Sequence, residues 1–355
     1  MYKYSIIVLI SFFITAGLSA QDDMFFERNY SIGGYGELHY NYVKPENGEA
    51  KKTLDFHRFV LFYGYNWTEK WSFKAEVELE HNYVADDHGE LELEQAYVNY
   101  KHADWLNFQA GVILPSVGLI NEYHEPPLFL SVERPEYHSK IIPTTWFGNG
   151  IAFTGVYKDF DYKLVVMEGL NGNKFSNSSG IRSGRQKGFK SNADDFLYNA
   201  RVDYYGITGL KAGASITYNK AFHDVEKIPF TLLEVHASYY HNNVYAVCEY
   251  GNISYDNFEI GSSSGFYADL GYNVGSWLKL DSELIPFVRY SDINPAATTL
   301  TGGDSELANH STKMMAGLAF KPIPEVVFKL DYSIQKFELN DQKTDLLNIG
   351  AGYMF

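Results

Sequence analysis

In the stretch Trp71-Ser-Phe-Lys-Ala-Glu-Val-Glu-Leu-Glu80 every charge falls on one parity. Lys74, Glu76, Glu78 and Glu80 alternate with Trp71, Phe73, Ala75, Val77 and Leu79. An extended chain sends successive side chains to opposite faces, so one face of this strand is wet and the other apolar. The pattern recurs where Val326, Phe328, Leu330, Tyr332 and Ile334 oppose Lys329, Asp331, Ser333 and Gln335. It recurs again at 344–355. There Leu347, Ile349, Ala351, Tyr353 and Phe355 share one parity, and Asn348, Gly350, Gly352 and Met354 the other. In a soluble sheet such a terminal strand leaves an exposed, sticky edge; a closed cylinder pairs it with the first strand. No run of about 18 apolar residues follows residue 20, so no helix is long enough to cross a bilayer. Aromatic residues nevertheless make up 17% of the chain, which suits the aromatic girdles of a membrane barrel. The expected fold is all-β, an antiparallel transmembrane β-barrel.

The N-terminus has a single Lys3, an apolar run from Ile6 to Ile14 and small residues up to Ala20. That is the tripartite pattern of a secretory signal peptide over 1–20, with Gln21 as the new start. A short segment 21–29 then precedes the barrel, 30–355. Alternating segments number sixteen, an even count as single-chain bacterial barrels have. The expected strands include 90–101 and 277–291. In 90–101, Leu91 and Leu93 break the parity of Ala96, Val98 and Tyr100, which a bulge near Glu94 repairs. Short connections such as Thr68-Glu-Lys70, His102-Ala-Asp104 and His241-Asn-Asn243 alternate with long ones. Short turns mark the periplasmic rim and long loops the outer rim. Trp67, Trp71, Trp105 and Trp277 lie beside short turns, where an interfacial belt belongs.

The third and longest loop, 115–148, mixes apolar residues and prolines with Glu122, Glu125, Glu133, Arg134, Glu136 and Lys140. It is too apolar to be disordered. Folded into the lumen, it packs on the inner wall and constricts the pore. By parity the wall contributes Arg58, Lys74, Glu76, Glu78, Glu80, Arg201 and Arg289 to that constriction, and rings of such charges set selectivity. Lys74, Lys163, Lys211, Lys279 and Lys329 follow short turns and are expected to ring the periplasmic mouth. The loop 169–195 carries Lys174, Arg182, Arg185, Lys187 and Lys190, an expected basic patch at the outer mouth that draws in anions or bridges to lipopolysaccharide. Glu122-Tyr-His124 and Glu136-Tyr-His138 repeat a short word, but their spacing matches no zinc motif, so no metal and no cofactor are expected. No catalytic residue pattern stands out. The net charge of −15 argues against nucleic acid.

The run Phe56–Glu80, with Leu93-Glu-Gln-Ala-Tyr-Val-Asn-Tyr100, Phe108-Gln-Ala-Gly-Val-Ile-Leu-Pro115 and Ile285-Pro-Phe-Val-Arg-Tyr290, resembles the phosphate- and polyphosphate-selective porin family in its Bacteroidota branch. The resemblance implies a sixteen-stranded porin with its third loop folded inward, often working as a trimer. It also implies phosphate selection by a ladder of arginines and a ring of lysines. Here the chain departs: Arg58, Arg201 and Arg289 are scattered, and the third loop carries four glutamates against Arg134 and Lys140. The expectation is therefore an outer-membrane porin passing small hydrophilic solutes, anions among them, without a chemical step. Its partners would be membrane lipid and the barrel-assembly machinery, which reads the strand ending at Phe355. The alternative is a non-conducting barrel within a larger outer-membrane complex; an outer-membrane hydrolase is a remote third.

Overall fold

The computed structural model describes residues 29–85 and 88–355. The expected signal peptide, and all but the last residue of segment 21–29, lie outside the described residues. Sixteen antiparallel strands form one closed barrel in sequence order. They are β1 (Asn29–Pro45), β2 (Lys51–Asn66), β3 (Trp71–Ala85), β4 (His88–Ala103), β5 (Leu106–Ile113), β6 (Gly148–Tyr157), β7 (Phe160–Met167), β8 (Leu197–Tyr204), β9 (Leu210–Ala221), β10 (Ile228–His241), β11 (Val244–Tyr255), β12 (Ile260–Tyr272), β13 (Glu283–Thr299), β14 (Ser311–Ile323), β15 (Val326–Phe337) and β16 (Lys343–Met354). β16 pairs with β1 from Tyr35↔Met354 to Pro45↔Thr344. The seam is finished by Phe355, whose N–H donates to the Gly34 carbonyl at 2.9 Å while its carbonyl accepts from Gly34 N–H at 3.0 Å. Closure satisfies the backbone groups that hydrocarbon would leave without partners.

The outer face follows the predicted parity. Val77, Leu164, Val202, Leu330 and Ile349 are exposed there, an apolar surface that only lipid makes sense of. Trp67, Trp71, Trp105 and Trp277 are exposed beside short turns, as an interfacial belt requires.

Two strands needed the structure to be placed. In β4 the pairing steps from Glu76↔Gln95 to Val77↔Leu93. Glu94 is thus the extra residue, and the bulge sits where the broken parity asked for one. The thirteenth strand starts later than expected and runs further. Residues 273–282 form a hydrogen-bonded turn: Asn273 Oδ1 accepts from Gly275 N–H at 2.9 Å and Leu284 N–H at 3.1 Å. Leu280 N–H closes onto the Gly275 carbonyl at 3.0 Å. Trp277 and Leu278 are anchors of this turn at the interface rather than the start of a strand, and Lys279 is exposed within it, outside the expected lysine ring. β13 then continues past Pro295, where its register with β12 shifts.

Candidate functional site: a loop laid across the lumen

The third loop, 114–147, lies inside the barrel, and two kinds of contact hold it. The first is apolar. Val117, Tyr137, Ile141, Ile142 and Trp146 of the loop are buried in one cluster with wall residues Ala152, Val165, Leu197, Phe230, Leu232, Ile253 and Ile293. The inner wall here is therefore dry. Phe175 and Ile181 of the fourth loop, 168–196, join the same cluster. Fully burying a side chain of this size stabilises by roughly 1.5–3 kcal/mol, so the filled side of the lumen resembles the core of a soluble domain.

The second kind is polar, and it reaches around the wall. From β11, Glu249 accepts from His138 Nε2 at 2.7 Å and from Leu119 N–H at 2.9 Å. From β13, Arg289 donates to Ser131 Oγ at 2.7 Å. From β14, Lys313 pairs with Glu136 at 2.7 Å, and from β15 Gln335 donates to the same carboxylate at 3.1 Å. Also from β15, Lys329 donates to the Ser131 carbonyl at 2.8 Å and Asp331 accepts from Val132 N–H at 2.7 Å. On β1, His39 contacts Glu133 at 3.0 Å and Asn41 donates to it at 2.8 Å. On β7, Lys163 pairs with Glu122 at 2.5 Å, and on β8 Arg201 donates to the Gly118 carbonyl at 2.6 Å. The loop thus touches wall on opposite sides. It also rests on β16, where a Cβ at Gly350 would come within 2.8 Å of Val132 and one at Gly352 within 2.4 Å of Pro126. The bare parity of the last strand is the bed of the loop.

The wall from β1 to β4 is strongly charged. Glu78 and Glu80 of β3 face Glu92 and Glu90 of β4, and Glu76 faces Gln95, beside the bulged Glu94. Arg58 sits between Glu37 at 2.7 Å and Glu78 at 3.1 Å. His124 of the loop lies 3.3 Å from Glu76 and 3.4 Å from Glu94. Burial and Arg134 lower its pKa, but the two carboxylates outweigh both and push it up to about 10. Glu133 is raised by burial and lowered further by His39, His57 and Asn41, ending at about 2. Arg134 reaches the Tyr35 hydroxyl at 3.5 Å and the His124 carbonyl at 3.4 Å. Glu125 keeps a buried oxygen without a hydrogen-bond partner. Lys140 donates to the Ser178 carbonyl of the fourth loop at 2.8 Å. Lys74 is inward and open to water, over the Phe62 ring.

Two expectations change. The five cations of the fourth loop do not form one outer patch. Arg182 donates to the Thr144 carbonyl at 2.5 Å, Arg185 to the carbonyls of Thr145 and, at 3.3 Å, Pro143, and Lys187 bridges Glu90 and Glu92. Lys174 and Lys190 remain exposed. The reason is local: the carbonyls of Pro143, Thr144 and Thr145 and the carboxylates of Glu90 and Glu92 lie within reach of these side chains. Second, Glu90, Glu92 and Glu94 join the inward charges although the expected constriction did not include them: with the bulge at Glu94, the outward Leu91 and Leu93 turn Glu90 and Glu92 inward. The repeated Glu-Tyr-His word, from which no metal site was expected, is spread over separate wall residues: Glu122 meets Lys163, His124 meets Glu76 and Glu94, Glu136 meets Lys313, and His138 meets Glu249. The candidate arginines Arg58, Arg201 and Arg289 are each paired with carboxylates, Arg201 with Asp203 at 3.0 Å and Arg289 with Asp269 at 2.5 Å. They form no free ladder.

Below the loop lies a cavity of about 220 Å³ lined by residues including Tyr123, Phe129, Lys211, Tyr245, Asp269 and Lys321. Lys211, Tyr245 and Lys321 each sit within a few residues of a short turn, so the cavity lies on the short-turn side of the loop.

Comparison with known proteins agrees with this geometry. Residues 32–223 match the family described as phosphate-selective porin O and P. An uncharacterized protein of Aquifex aeolicus (strain VF5) is 29% identical over 93% of this chain and 80% of its own length. Among solved structures, an anion-selective porin from Comamonas acidovorans superposes with a TM-score of 0.64 at 12% identity, covering 93% of this chain and 100% of that one. The trimer form of OmpT from Vibrio cholerae gives 0.60 at 14% identity, over 93% and 100%. At such identities the structural likeness speaks for the fold.

Proposed function

The chain belongs to the phosphate-selective porin O and P family, and on that premise we propose a narrow passive diffusion channel of the bacterial outer membrane. It passes small hydrophilic solutes and performs no chemical step. The observation that carries the reading is the third loop, latched to the wall from β1 to β15 by side chains aimed into the lumen. A loop anchored on opposite walls narrows the bore at mid-height and leaves vestibules on either side. The charge beside it supports cation preference. Six glutamates on β3 and β4 are met directly by Arg58, His124 and Lys187, so negative charge predominates there. The paired state of Arg58, Arg201 and Arg289 argues against phosphate as the preferred solute.

Export depends on the leader 1–20, and the working form is a homotrimer seated in lipid and lipopolysaccharide; the trimer form of the Vibrio cholerae protein supports that oligomer. The test is single-channel recording of the purified protein in planar bilayers. Small unitary steps with a reversal potential on the cation side are expected. Packing of the third and fourth loops into one apolar cluster favours a second reading, a sealed barrel serving as a subunit of a larger complex. A folded protein that stays electrically silent would establish that reading instead.

A further inference from the structure

Two departures from strand alternation turn histidines toward one carboxylate. In β2 the pairing steps from Glu37↔Arg58 to Leu38↔Phe56, which makes His57 a bulged residue. Strict alternation from the inward Arg58 would send His57 to lipid; the bulge brings it inside, stacked on His39 with ring centroids 4.8 Å apart. In β3 the inward set ends at Glu80, so His81 too should face outward. Instead its backbone is left-handed, at φ 60°, a conformation rare for a residue with a side chain. Both rings then present Nδ1 to Asp55: His57 at 3.0 Å and His81 at 2.8 Å, to the same Oδ2. Bulges and strained backbone concentrate where a side chain must be re-aimed for a task.

We propose that Asp55, His57 and His81 form a binding site for a divalent transition-metal ion, on the outer side of the constriction. The ligand atoms of the three lie within 4.8 Å of one another, and His39 with Glu133 forms a second group that shares His57. Ligands on a tetrahedral zinc at ~2.0–2.1 Å stand roughly 3.3 Å apart, so the Asp55–His57 and Asp55–His81 contacts of 3.0 and 2.8 Å open by a few tenths of an ångström to admit the ion. Two imidazoles and one carboxylate suit zinc, copper or nickel and disfavour magnesium and calcium, which prefer oxygen alone. All three side chains are partly open to lumen water, which supplies the remaining positions. The buried group Glu76, Glu94 and His124 is a poorer host, because it is closed to lumen water and Arg134, on the His124 carbonyl at 3.4 Å, already lies beside it. A bound dication would be the largest charge at that mouth, set against Asp55 and Glu133.

The test is calorimetric titration of the purified, chelator-stripped barrel in detergent at neutral pH, with zinc chloride and then magnesium chloride as probes. One zinc per chain is expected, with no heat from magnesium. His57→Gln should weaken zinc by roughly tenfold or more, and so should His81→Asn, chosen because Asn tolerates the left-handed backbone. Circular dichroism and heat-modifiable migration would establish that each variant retains the barrel. Absence of zinc binding by the natural protein, or undiminished binding by either folded variant, overturns the assignment. The readout does not depend on whether the channel conducts.

Discussion

Replacing His124 with Gln should loosen the constriction without unfolding the wall. His124 and its two carboxylate neighbours are at most 2% exposed. The approaches of 3.3 and 3.4 Å set the imidazole between two carboxylates, whose hydrogen bonding and charge both favour its protonated form. A pKa carried from 6.5 to about 10 corresponds, at roughly 1.4 kcal/mol per pH unit, to about 5 kcal/mol in favour of the imidazolium. Removing one partner of a buried pair commonly costs ~3–5 kcal/mol, the same size. The strand ladders of β3 and β4 do not depend on this contact, so the loss falls on the loop near residues 120–126. The folded pKa lies above the unfolded one. The stabilisation is therefore complete below pH 6.5 and disappears as pH rises through about 10. Single-channel records should show larger or noisier openings for His124→Gln at pH 7. The natural protein should approach that behaviour near pH 10.5, whereas the variant should change little over the same interval. Identical records for variant and natural protein at pH 7, with no alkaline response in the latter, would refute the argument.

Exchanging Glu76, Glu78 and Glu80 for Gln together should move the reversal potential in a potassium chloride gradient toward the anion side; an unmoved potential removes these residues from selectivity. Arg182→Ala combined with Arg185→Ala deletes the donors to the carbonyls of Pro143, Thr144 and Thr145. Limited proteolysis should then cut the fourth loop faster, with the barrel fragment intact. Gly352→Val places side-chain atoms where Pro126 lies; an overpacked contact of this kind costs ~1–3 kcal/mol. The expected outcome is a displaced third loop and altered conductance, together with a lowered thermal midpoint.

The barrel was legible because lipid and water impose opposite demands on alternate residues, and the demand is repeated in strand after strand. The inward third loop was legible for a related reason: its prolines and apolar residues need a wall to rest on. What alternation cannot convey is any place where it breaks. Glu94 was within reach, since Leu91 and Leu93 announced a fault in β4. His57 and His81 were not, because a bulge at one and a left-handed backbone at the other leave no periodic trace. The fourth loop shows a different limit. Its composition says how many cations it holds, but their direction is set by third-loop carbonyls some forty residues away in sequence, as for Arg182 and Thr144. The turn at 273–282 was missed because Trp277 and Leu278 are as apolar as a strand, while one side chain, Asn273, organises the main chain around them.

The smooth inner face of β16 has a bearing on biogenesis. The ribbon that shuts the wall against β1 is also the floor on which Val132 and Pro126 come to rest. A sheet lacking that ribbon would keep the loop's anchors on the other strands but leave Val132 and Pro126 without a floor. The strand that closes the wall therefore also supplies the last piece of the seat beneath the constriction.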